Sequence, residues 1–226
     1  MPARFVIATL LAALAAPALA APPVTVVELF QSQGCSSCPP ANANVNALIA
    51  ARPDVLALSF AVTYWDRLGW KDGFASRANT QRQWDYAKGL HHDNVWTPQV
   101  VINGRSDLVG SNAATLTAAL KPLPAGAPAL ALDEGVLGIG RGTAPRGGAD
   151  VWLIRYDPRT VAVAVKAGEN GGKTLPHRNI VRSLTRLGGW TGAPARFTVA
   201  DAAPGLATAV LVQAAHGGPI LAATRG

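Results

Sequence analysis

The chain has 226 residues, of which 49% are hydrophobic and 15% are charged, and its formal net charge is +7. This composition supplies enough apolar side chains for a packed core and excludes a disordered chain. The basic residues are scattered singly, and no nucleic-acid-binding motif accompanies them. We therefore expect no nucleic-acid partner, although a basic protein can attract one.

Residues 1–20 have the pattern of a secretory signal peptide. Arg4 is followed by an apolar run over 5–16, and the small residues at 18–20 match a cleavage site. Because the run is shorter than a membrane-spanning helix requires, we predict cleavage rather than an uncleaved anchor. The expected mature protein is periplasmic or secreted, with no stable membrane insertion.

The next segment predicts a strand, a helix and a second strand. "VTVVELF" (24–30) is rich in β-branched residues, and residues 35–50 have helical spacing with two prolines in the first turn. "VLALSFAV" (55–62) is the second strand. A helical crossover between two strands predicts a parallel pair with a right-handed connection.

Further elements follow up to a change in pattern near residue 122. We predict a helix over 76–90, a strand over 97–104 closed by an Asn-Gly turn, and a helix over 112–120 capped by Ser111. The Pro/Gly-rich segment 122–129 predicts a linker. Beyond it, four short alternating runs predict antiparallel strands, whereas "RNIVRSLTRLG" stays open between strand and helix.

The two cysteines of the chain, Cys35 and Cys38, form a C-x-x-C pair at the start of the predicted helix. The free N–H groups and partial positive charge of a helix N-terminus favour a thiolate. Cys35 would attack a substrate disulfide and Cys38 would resolve the mixed disulfide. The pattern predicts a thiol–disulfide oxidoreductase that acts on protein or small-molecule thiols and disulfides and needs no bound cofactor.

Two other interpretations of the cysteine pair remain open. Two thiolates with His91 or His92 would suit Cu(I), which would make the protein a periplasmic copper chaperone. Alternatively, the disulfide is structural and the protein is a non-catalytic interaction protein. Four-thiolate zinc is excluded by the cysteine count, and we predict no metal ligands among the site residues.

Three more residues are candidates for the catalytic machinery. In the thioredoxin fold a cis proline opens the strand that faces the C-x-x-C pair, and Thr97-Pro98 stands at that point in the chain order. We predict a cis bond there, with a trans proline on an edge strand as the alternative. Glu28 lies inside an apolar strand, so it either relays a proton to Cys38 or pairs with a Lys or Arg.

The segment "YWDRLGWKD" (64–72) is rich in aromatic residues and has two interpretations. Tyr64, Trp65 and Asp66 are candidate substrate-binding residues beside the thiols. Alternatively the aromatic side chains pack the loop onto the core, which is the interpretation we favour for Trp70.

Two features of the C-terminal half carry weaker signals. "GENGG" (168–172) is first a turn, although Glu169 and Asn170 are placed to line a domain interface. His177 and His216 have no partner at metal-ligand spacing, so we expect structural or surface roles for both.

The motifs "VELFQSQGCSSCPPA", "YWDRLGWKDGFA", "TPQVVING" and "GENGGKTLPHRNIVRSL" resemble a bacterial family of exported thioredoxin-like proteins of uncharacterised function. The resemblance covers about residues 24–224 and implies an α/β thioredoxin-like domain over 21–121 and a β-rich antiparallel domain over 130–226. It extends to Cys35, Cys38 and Pro98 as site residues. One departure is that His-Val-Asp, usual before Tyr-Trp-Asp in the family, reads Ala-Val-Thr at 61–63, which weakens any metal role most.

Overall fold

A computed structural model of the protein describes residues 24–226. The predicted signal peptide over 1–20 lies outside the described residues, and the localisation that follows from it stays a prediction. Within 24–226, no helix combines the length and the apolar character needed to cross a membrane.

The chain forms three α-helices and thirteen strands in the described part. The helices are α1 (Cys38–Ala51), α2 (Arg77–Gly89) and α3 (Ala113–Ala119), and a short 3-10 helix covers Asp66–Leu68. The strands are β1 (Thr25–Gln31), β2 (Val55–Ala61), β3 (Gln99–Ile102), β4 (Ser106–Leu108), β5 (Leu130–Asp133), β6 (Val136–Ile139), β7 (Ala149–Asp157), β8 (Val161–Ala164), β9 (Thr174–His177), β10 (Ile180–Trp190), β11 (Ala195–Thr198), β12 (Ala207–Ala214) and β13 (Ile220–Arg225).

The first strand–helix–strand unit forms as predicted. β1 and β2 pair in parallel, with Thr25 opposite Val55, and α1 connects them. The prolines that follow Cys38 occupy the first turn of α1, where the missing N–H groups would have no intrahelical partner. β1 and β2 are buried along their whole length, which explains their continuous apolar sequence.

Side-chain caps fix the starts of the two other helices. The Ser76 hydroxyl accepts from the Asn79 N–H at 3.1 Å and begins α2. The carboxamide oxygen of Asn112 accepts from the Thr115 N–H at 2.9 Å and begins α3, so the cap lies one residue after the predicted Ser111. The open segment "RNIVRSLTRLG" is strand and forms most of β10.

The predicted fold class, an α/β thioredoxin-like domain followed by a β-rich domain, is wrong. Strands contribute 37% and helices 18% of the described residues, and eight strands form one mixed sheet in the order β13-β12-β7-β10-β2-β1-β3-β4. β10 lies beside β2, where the Ser59 N–H donates to the carbonyl oxygen of Asn179 at 2.9 Å. The sheet therefore runs without a break from the N-terminal strands into the C-terminal ones.

The hydrophobic core crosses the same junction. One cluster contains Phe30 and Phe60 from β1 and β2 together with Ile154 and Leu211 from β7 and β12. A second cluster packs α1 and α3 against the opposite face of β1, β2 and β3, and a third lies between the C-terminal part of the sheet and the three-stranded sheet β11-β6-β5. The pair β8-β9 forms a separate hairpin, and it lies against α1.

The C-terminal turn between β12 and β13 contacts α2 closely. An added Cβ atom at Gly217 would lie 2.0 Å from the carbonyl oxygen of Asp85, and Gly217 has a φ of +71°. Only glycine combines this backbone conformation with so close an approach. The turn therefore fixes α2 onto the end of the sheet.

Glu28 and Arg82 form an ion pair inside the core that involves both halves of the chain. Arg82 Nε donates to Glu28 Oε1 at 2.6 Å and Nη2 donates to Oε2 at 3.1 Å, and the Tyr86 hydroxyl also donates to Oε2. The Arg82 guanidinium lies over the rings of Phe60 and Trp152, each at 5.6 Å from the ring centre. Charged groups are stable in a core only when paired in this way.

Replacement of Arg82 by Met should lower the free energy of unfolding by about 3–5 kcal/mol, because it leaves the Glu28 carboxylate charged and unpaired in the core. The measurement is urea unfolding at pH 7. A double variant with Glu28→Gln should recover part of the loss, since no buried charge then remains.

The matched control is Arg52→Met. Arg52 pairs with Asp54 at 2.7 Å, but both side chains are 40% exposed or more, and such surface pairs contribute little. A loss for Arg82→Met no larger than the loss for Arg52→Met would contradict the assigned role of the buried pair.

Candidate functional site

Cys35 and Cys38 form a disulfide bond at the end of the loop between β1 and α1, with their Cα atoms 5.4 Å apart. Cys38 is the first residue of α1, and Cys35 lies in the preceding turn. The cysteines are 0% and 1% exposed, whereas Ser36 and Ser37 between them are exposed. The disulfide therefore lies just beneath the surface formed by the two serines.

The segment before β3 faces the disulfide. The Thr97–Pro98 peptide bond is cis, as predicted. The Cys35 sulfur lies 3.7 Å from the carbonyl oxygen of Thr97 and 3.3 Å from the Ser37 hydroxyl, which itself donates to Thr97 at 3.4 Å. In the reduced protein the Cys35 thiol has a hydrogen-bond acceptor within reach in Thr97 and a possible donor in Ser37.

The aromatic segment 64–72 holds the other side of the cysteine loop. Trp65 Nε1 donates to the Thr97 hydroxyl at 2.7 Å, and Trp70 Nε1 donates to the side chain of Gln33 at 2.8 Å. The backbone N–H of Gln33 donates to Asp72 Oδ2 at 2.9 Å. Asp72 is buried, and this burial raises the pKa of its carboxyl group.

Tyr64, Trp65 and Asp66, the predicted substrate-binding residues, all take part in internal hydrogen bonds. The Tyr64 hydroxyl donates to Gln83 at 3.3 Å, and burial raises the pKa of Tyr64 to about 12. Asp66 Oδ1 accepts from the Asp72 N–H at 3.1 Å. The three side chains thus shape the loop beside the disulfide, and their role in binding a substrate stays a prediction.

A segment more than 130 residues away in the sequence completes the site. The Asn170 side chain is fully buried, and its Nδ2 atom donates to the carbonyl oxygens of Gln33 at 2.9 Å and Cys35 at 2.8 Å. Glu169 Oε2 accepts from the backbone N–H of Ser36 at 3.0 Å. These bonds join the "GENGG" segment to the cysteine loop, a contact that the sequence indicated only as a possible interface.

Acidic side chains lie on both sides of the cysteine loop. Asp72 and Asp66 lie on the aromatic side, and Glu169 lies on the other side next to Ser36. Lys173 is the basic group on that side, and its ammonium donates to Asn170 Oδ1 at 2.9 Å. Hydrogen bonds from Ser36 lower the pKa of the Glu169 carboxyl, so it is ionised at neutral pH.

Glu28 lies on the face of β1 that points away from α1. It belongs to the same face as Phe30, while α1 packs on the face that carries Val27 and Leu29. Its Oε1 atom accepts from Arg82, and its Oε2 atom accepts from Arg82 and Tyr86. The structure therefore contains the ion pair that was one of the two interpretations of Glu28, and proton relay to Cys38 stays a prediction.

The side chains of His92 and Thr63 make contacts with residues outside the cysteine loop. His92 Nε2 lies 3.1 Å from Asp107 Oδ1, and its ring stacks edge-on against Trp96. Thr63, where the family usually has Asp, shares a hydrogen bond with Thr80 at 3.0 Å. Within the part of the chain that the structure describes, no three His, Cys, Asp or Glu side chains are grouped to hold a metal ion.

His177 is buried in β9, and its ring packs edge-on against Phe74 at 5.9 Å. Within residues 24–226 neither ring nitrogen has a hydrogen-bond partner. Burial lowers the pKa of His177 to about 4. The imidazole is therefore neutral at physiological pH and packs as a core group.

Two surface clefts lie away from the disulfide. Two neighbouring clefts of about 220 and 440 Å³ share Asp150, Arg186 and His216 as lining residues, and neither is lined by a cysteine. The first cleft is rich in polar side chains, among them the Asp150–Arg186 ion pair, but it holds no redox-active group. We place the candidate site at the disulfide because Thr97, Asn170 and Glu169 direct polar groups at the cysteine loop.

The fold and the site define a protein with a C-x-x-C disulfide at the start of a helix on a large mixed sheet. The chain belongs to the family described as "Protein of unknown function (DUF1223)", whose model matches residues 26–213. This match confirms the resemblance to a family of unknown function, and it includes all the residues of the candidate site.

Two solved structures resemble the chain. A crystal structure of a protein from Agrobacterium tumefaciens is 30% identical, with a TM-score of 0.71, and the match covers 91% of this chain and 95% of that one. HBP35 of Porphyromonas gingivalis is 12% identical, with a TM-score of 0.57 and coverages of 90% and 74%, which is a likeness of fold alone. No functionally curated protein matches the chain.

Replacement of Asn170 by Ala should lower the free energy of unfolding of the oxidised protein by about 2 kcal/mol, because two buried carbonyl oxygens lose their donor. The measurement is urea unfolding without reductant. The matched control is Asn44→Ala, which removes one partly buried bond to the carbonyl oxygen of Gly110 and should have a smaller effect. Equal losses in the two variants would contradict the assigned role of Asn170.

The buried His177 leads to a prediction about how the free energy of unfolding depends on pH. The unfolded chain binds a proton at this residue near pH 6.5 and the folded protein only near pH 4, so the unfolded state holds more protons between these values. The free energy of unfolding therefore falls as the pH is lowered through this window, by up to roughly 3 kcal/mol from this group.

His177→Leu should remove that part of the pH dependence. The difference in unfolding free energy between variant and parent should be constant above pH 7.5 and should move in favour of the variant as the pH falls from 6.5 to 4. Parallel pH profiles for parent and variant would disprove the assignment.

Proposed function

We propose that the protein is a thiol–disulfide oxidoreductase whose redox group is the Cys35–Cys38 pair. The observation that carries the proposal is the placement of the disulfide at the start of α1, with polar groups of Thr97 and Ser37 directed at the Cys35 sulfur. A purely structural crosslink needs no such groups around one of its sulfurs.

In the proposed cycle, the Cys35 thiolate attacks a sulfur of a substrate disulfide. That disulfide breaks, its other sulfur leaves as a thiolate and takes up a proton, and a mixed disulfide with Cys35 forms. The Cys38 thiolate then attacks Cys35, which releases the second substrate thiol and leaves the Cys35–Cys38 disulfide. Two electrons pass to the substrate in this direction and from a substrate dithiol in the reverse direction.

The environments of the two sulfurs support this division of roles. Cys35 lies in the loop before α1, next to the exposed Ser36, so movement of this loop would bring its sulfur to the surface. Cys38 belongs to α1, whose packing on the sheet holds it in place. The Ser37 hydroxyl would donate to the Cys35 thiolate, and the carbonyl oxygen of Thr97 would accept from the Cys35 thiol.

Access to the site requires local movement. Both cysteines are buried in the oxidised protein. One hydrogen bond joins Trp65 to Thr97, and individual hydrogen bonds hold the segment 168–172 to the cysteine loop. Short segments held by a few such bonds can open without unfolding the sheet.

The proposed partners are thiols and disulfides of proteins or small molecules, with no bound cofactor. The predicted signal peptide supports export to an oxidising compartment, where a disulfide persists. In this proposal, Pro98 is the proline opposite the cysteines. Glu28 is a core acid that stabilises β1, the strand that leads to the cysteines.

Cys35→Ser should abolish disulfide exchange, because the attacking sulfur is absent. Cys38→Ser should still react once and accumulate a mixed disulfide, since the resolving thiol is missing. The measurement is mass spectrometry of the reduced proteins after incubation with oxidised glutathione, together with the rate of reduction of a test disulfide.

The reduction potential of the parent protein gives a second criterion. Working oxidoreductases have values between roughly −120 and −270 mV, while structural disulfides lie below about −300 mV. A value below that limit, or exchange by Cys35→Ser at the parent rate, would refute the proposed function and leave the structural-disulfide alternative.

A further inference from the structure

The acidic side chain that contacts the cysteine loop from the C-terminal half has a consequence for the redox chemistry. Glu169 is exposed, yet its carboxylate is held by the backbone N–H of Ser36, the residue next to Cys35. A carboxylate fixed at this position acts on the cysteine pair in two ways, through a hydrogen bond and through its charge.

The hydrogen bond removes a donor from the vicinity of the sulfur. Free N–H groups just before and at the start of a helix stabilise a nearby thiolate. The N–H of Ser36 is one such group, and it donates to Glu169 instead. The stabilisation that the sequence predicted for the Cys35 thiolate is therefore reduced.

The charge acts in the same direction. A negative carboxylate near a second developing negative charge makes that charge less favourable. Asp72 accepts from the Gln33 N–H on the opposite side of the loop, and Asp66 accepts from the Asp72 N–H. The carboxylate of Glu169 is therefore the third acidic group at this loop. Lys173 is the basic group held in this part of the site, through Asn170.

The chain positions Glu169 firmly. Asn170, the next residue, is fully buried and bonded to the loop through Gln33 and Cys35. Gly168 has a φ of +72°, and an added Cβ atom there would lie 3.2 Å from Trp70 Cβ. The backbone on both sides of Glu169 is therefore in contact with the site, which limits where the carboxylate can lie.

We propose that Glu169 is a positioning residue that disfavours the reduced, thiolate-containing form of the Cys35–Cys38 pair and so makes the dithiol form a stronger donor of electrons to substrate disulfides. This inference rests on the proposed function and adds a group that tunes the reduction potential of the pair. The dithiol form would reduce a substrate disulfide to two thiols and close to the Cys35–Cys38 disulfide. An external dithiol of lower reduction potential would then regenerate the dithiol form by the same exchange.

The test compares Glu169→Gln with Glu134→Gln. Glutamine at 169 keeps an oxygen that accepts from Ser36 but removes the charge, so it separates the charge from the hydrogen bond. Glu134 is an exposed glutamate in the turn between β5 and β6, and its replacement changes the net charge of the protein equally. Glu169→Ala removes both the charge and the bond.

Two quantities are measured on purified protein. The first is the ratio of dithiol to disulfide form in glutathione redox buffers at pH 7.5. The second is the pH profile of alkylation of the reduced protein by iodoacetamide, which reports thiolate formation.

For Glu169→Gln we expect about a threefold shift towards the dithiol form, equivalent to ~14 mV for a two-electron couple, and an alkylation profile displaced to lower pH. The shift should shrink in 1 M salt, because the charge is exposed and screened. Glu134→Gln should behave as the parent in both measurements.

Three results would overturn the inference. If the parent exchanges with glutathione but Glu169→Gln behaves like the parent, the charge has no role and the proposed function survives. If only Glu169→Ala differs from the parent, Glu169 acts as a structural hydrogen-bond acceptor. If the parent itself does not exchange with glutathione, the proposed function fails, and the inference fails with it.

Discussion

The backbone junction between β2 and β10 determines where the C-terminal part of the candidate site lies. The Ser59 N–H donates to the carbonyl oxygen of Asn179, and the Asn179 side chain donates to Ala57 at 2.7 Å. β10 is thereby held beside β2, and the hairpin β8-β9 that precedes it lies along α1, where Asn46 donates to the carbonyl oxygen of Pro176 at 2.9 Å. The loop of this hairpin then reaches the cysteine loop at the start of the same helix.

The site combines influences that oppose one another. The start of α1 and the hydroxyl of Ser37 favour a charged sulfur on Cys35, whereas Glu169 and the nearby Asp72 disfavour it. Burial of both cysteines also favours the uncharged forms. Under the proposed function, the balance between the helix and the acidic groups would set the reduction potential of the Cys35–Cys38 pair.

Local patterns predicted the elements that local forces form. The parallel pair β1 and β2, the helix α2 and the Asn103-Gly104 turn follow from periodicity, capping and turn chemistry within a few residues. The strands β4, β5, β6, β9 and β13 went unpredicted, and all but β13 have only three or four residues, which carry little periodic signal. The segment of β10 stayed ambiguous because its exposed positions are interrupted by bulges, at which the alternation breaks.

The sequence by itself determined the Cys35–Cys38 disulfide, since two cysteines three residues apart at a helix start can close into a disulfide without help from the rest of the chain. It also indicated the proline opposite them. Only the tertiary structure decided that the sheet is continuous and that Glu169 and Asn170 contact the cysteine loop. These two contacts join residues that are 133 and 135 positions apart in the sequence, so they depend on which strands pair. Strand pairing is set by the packing of the whole core rather than by any local pattern.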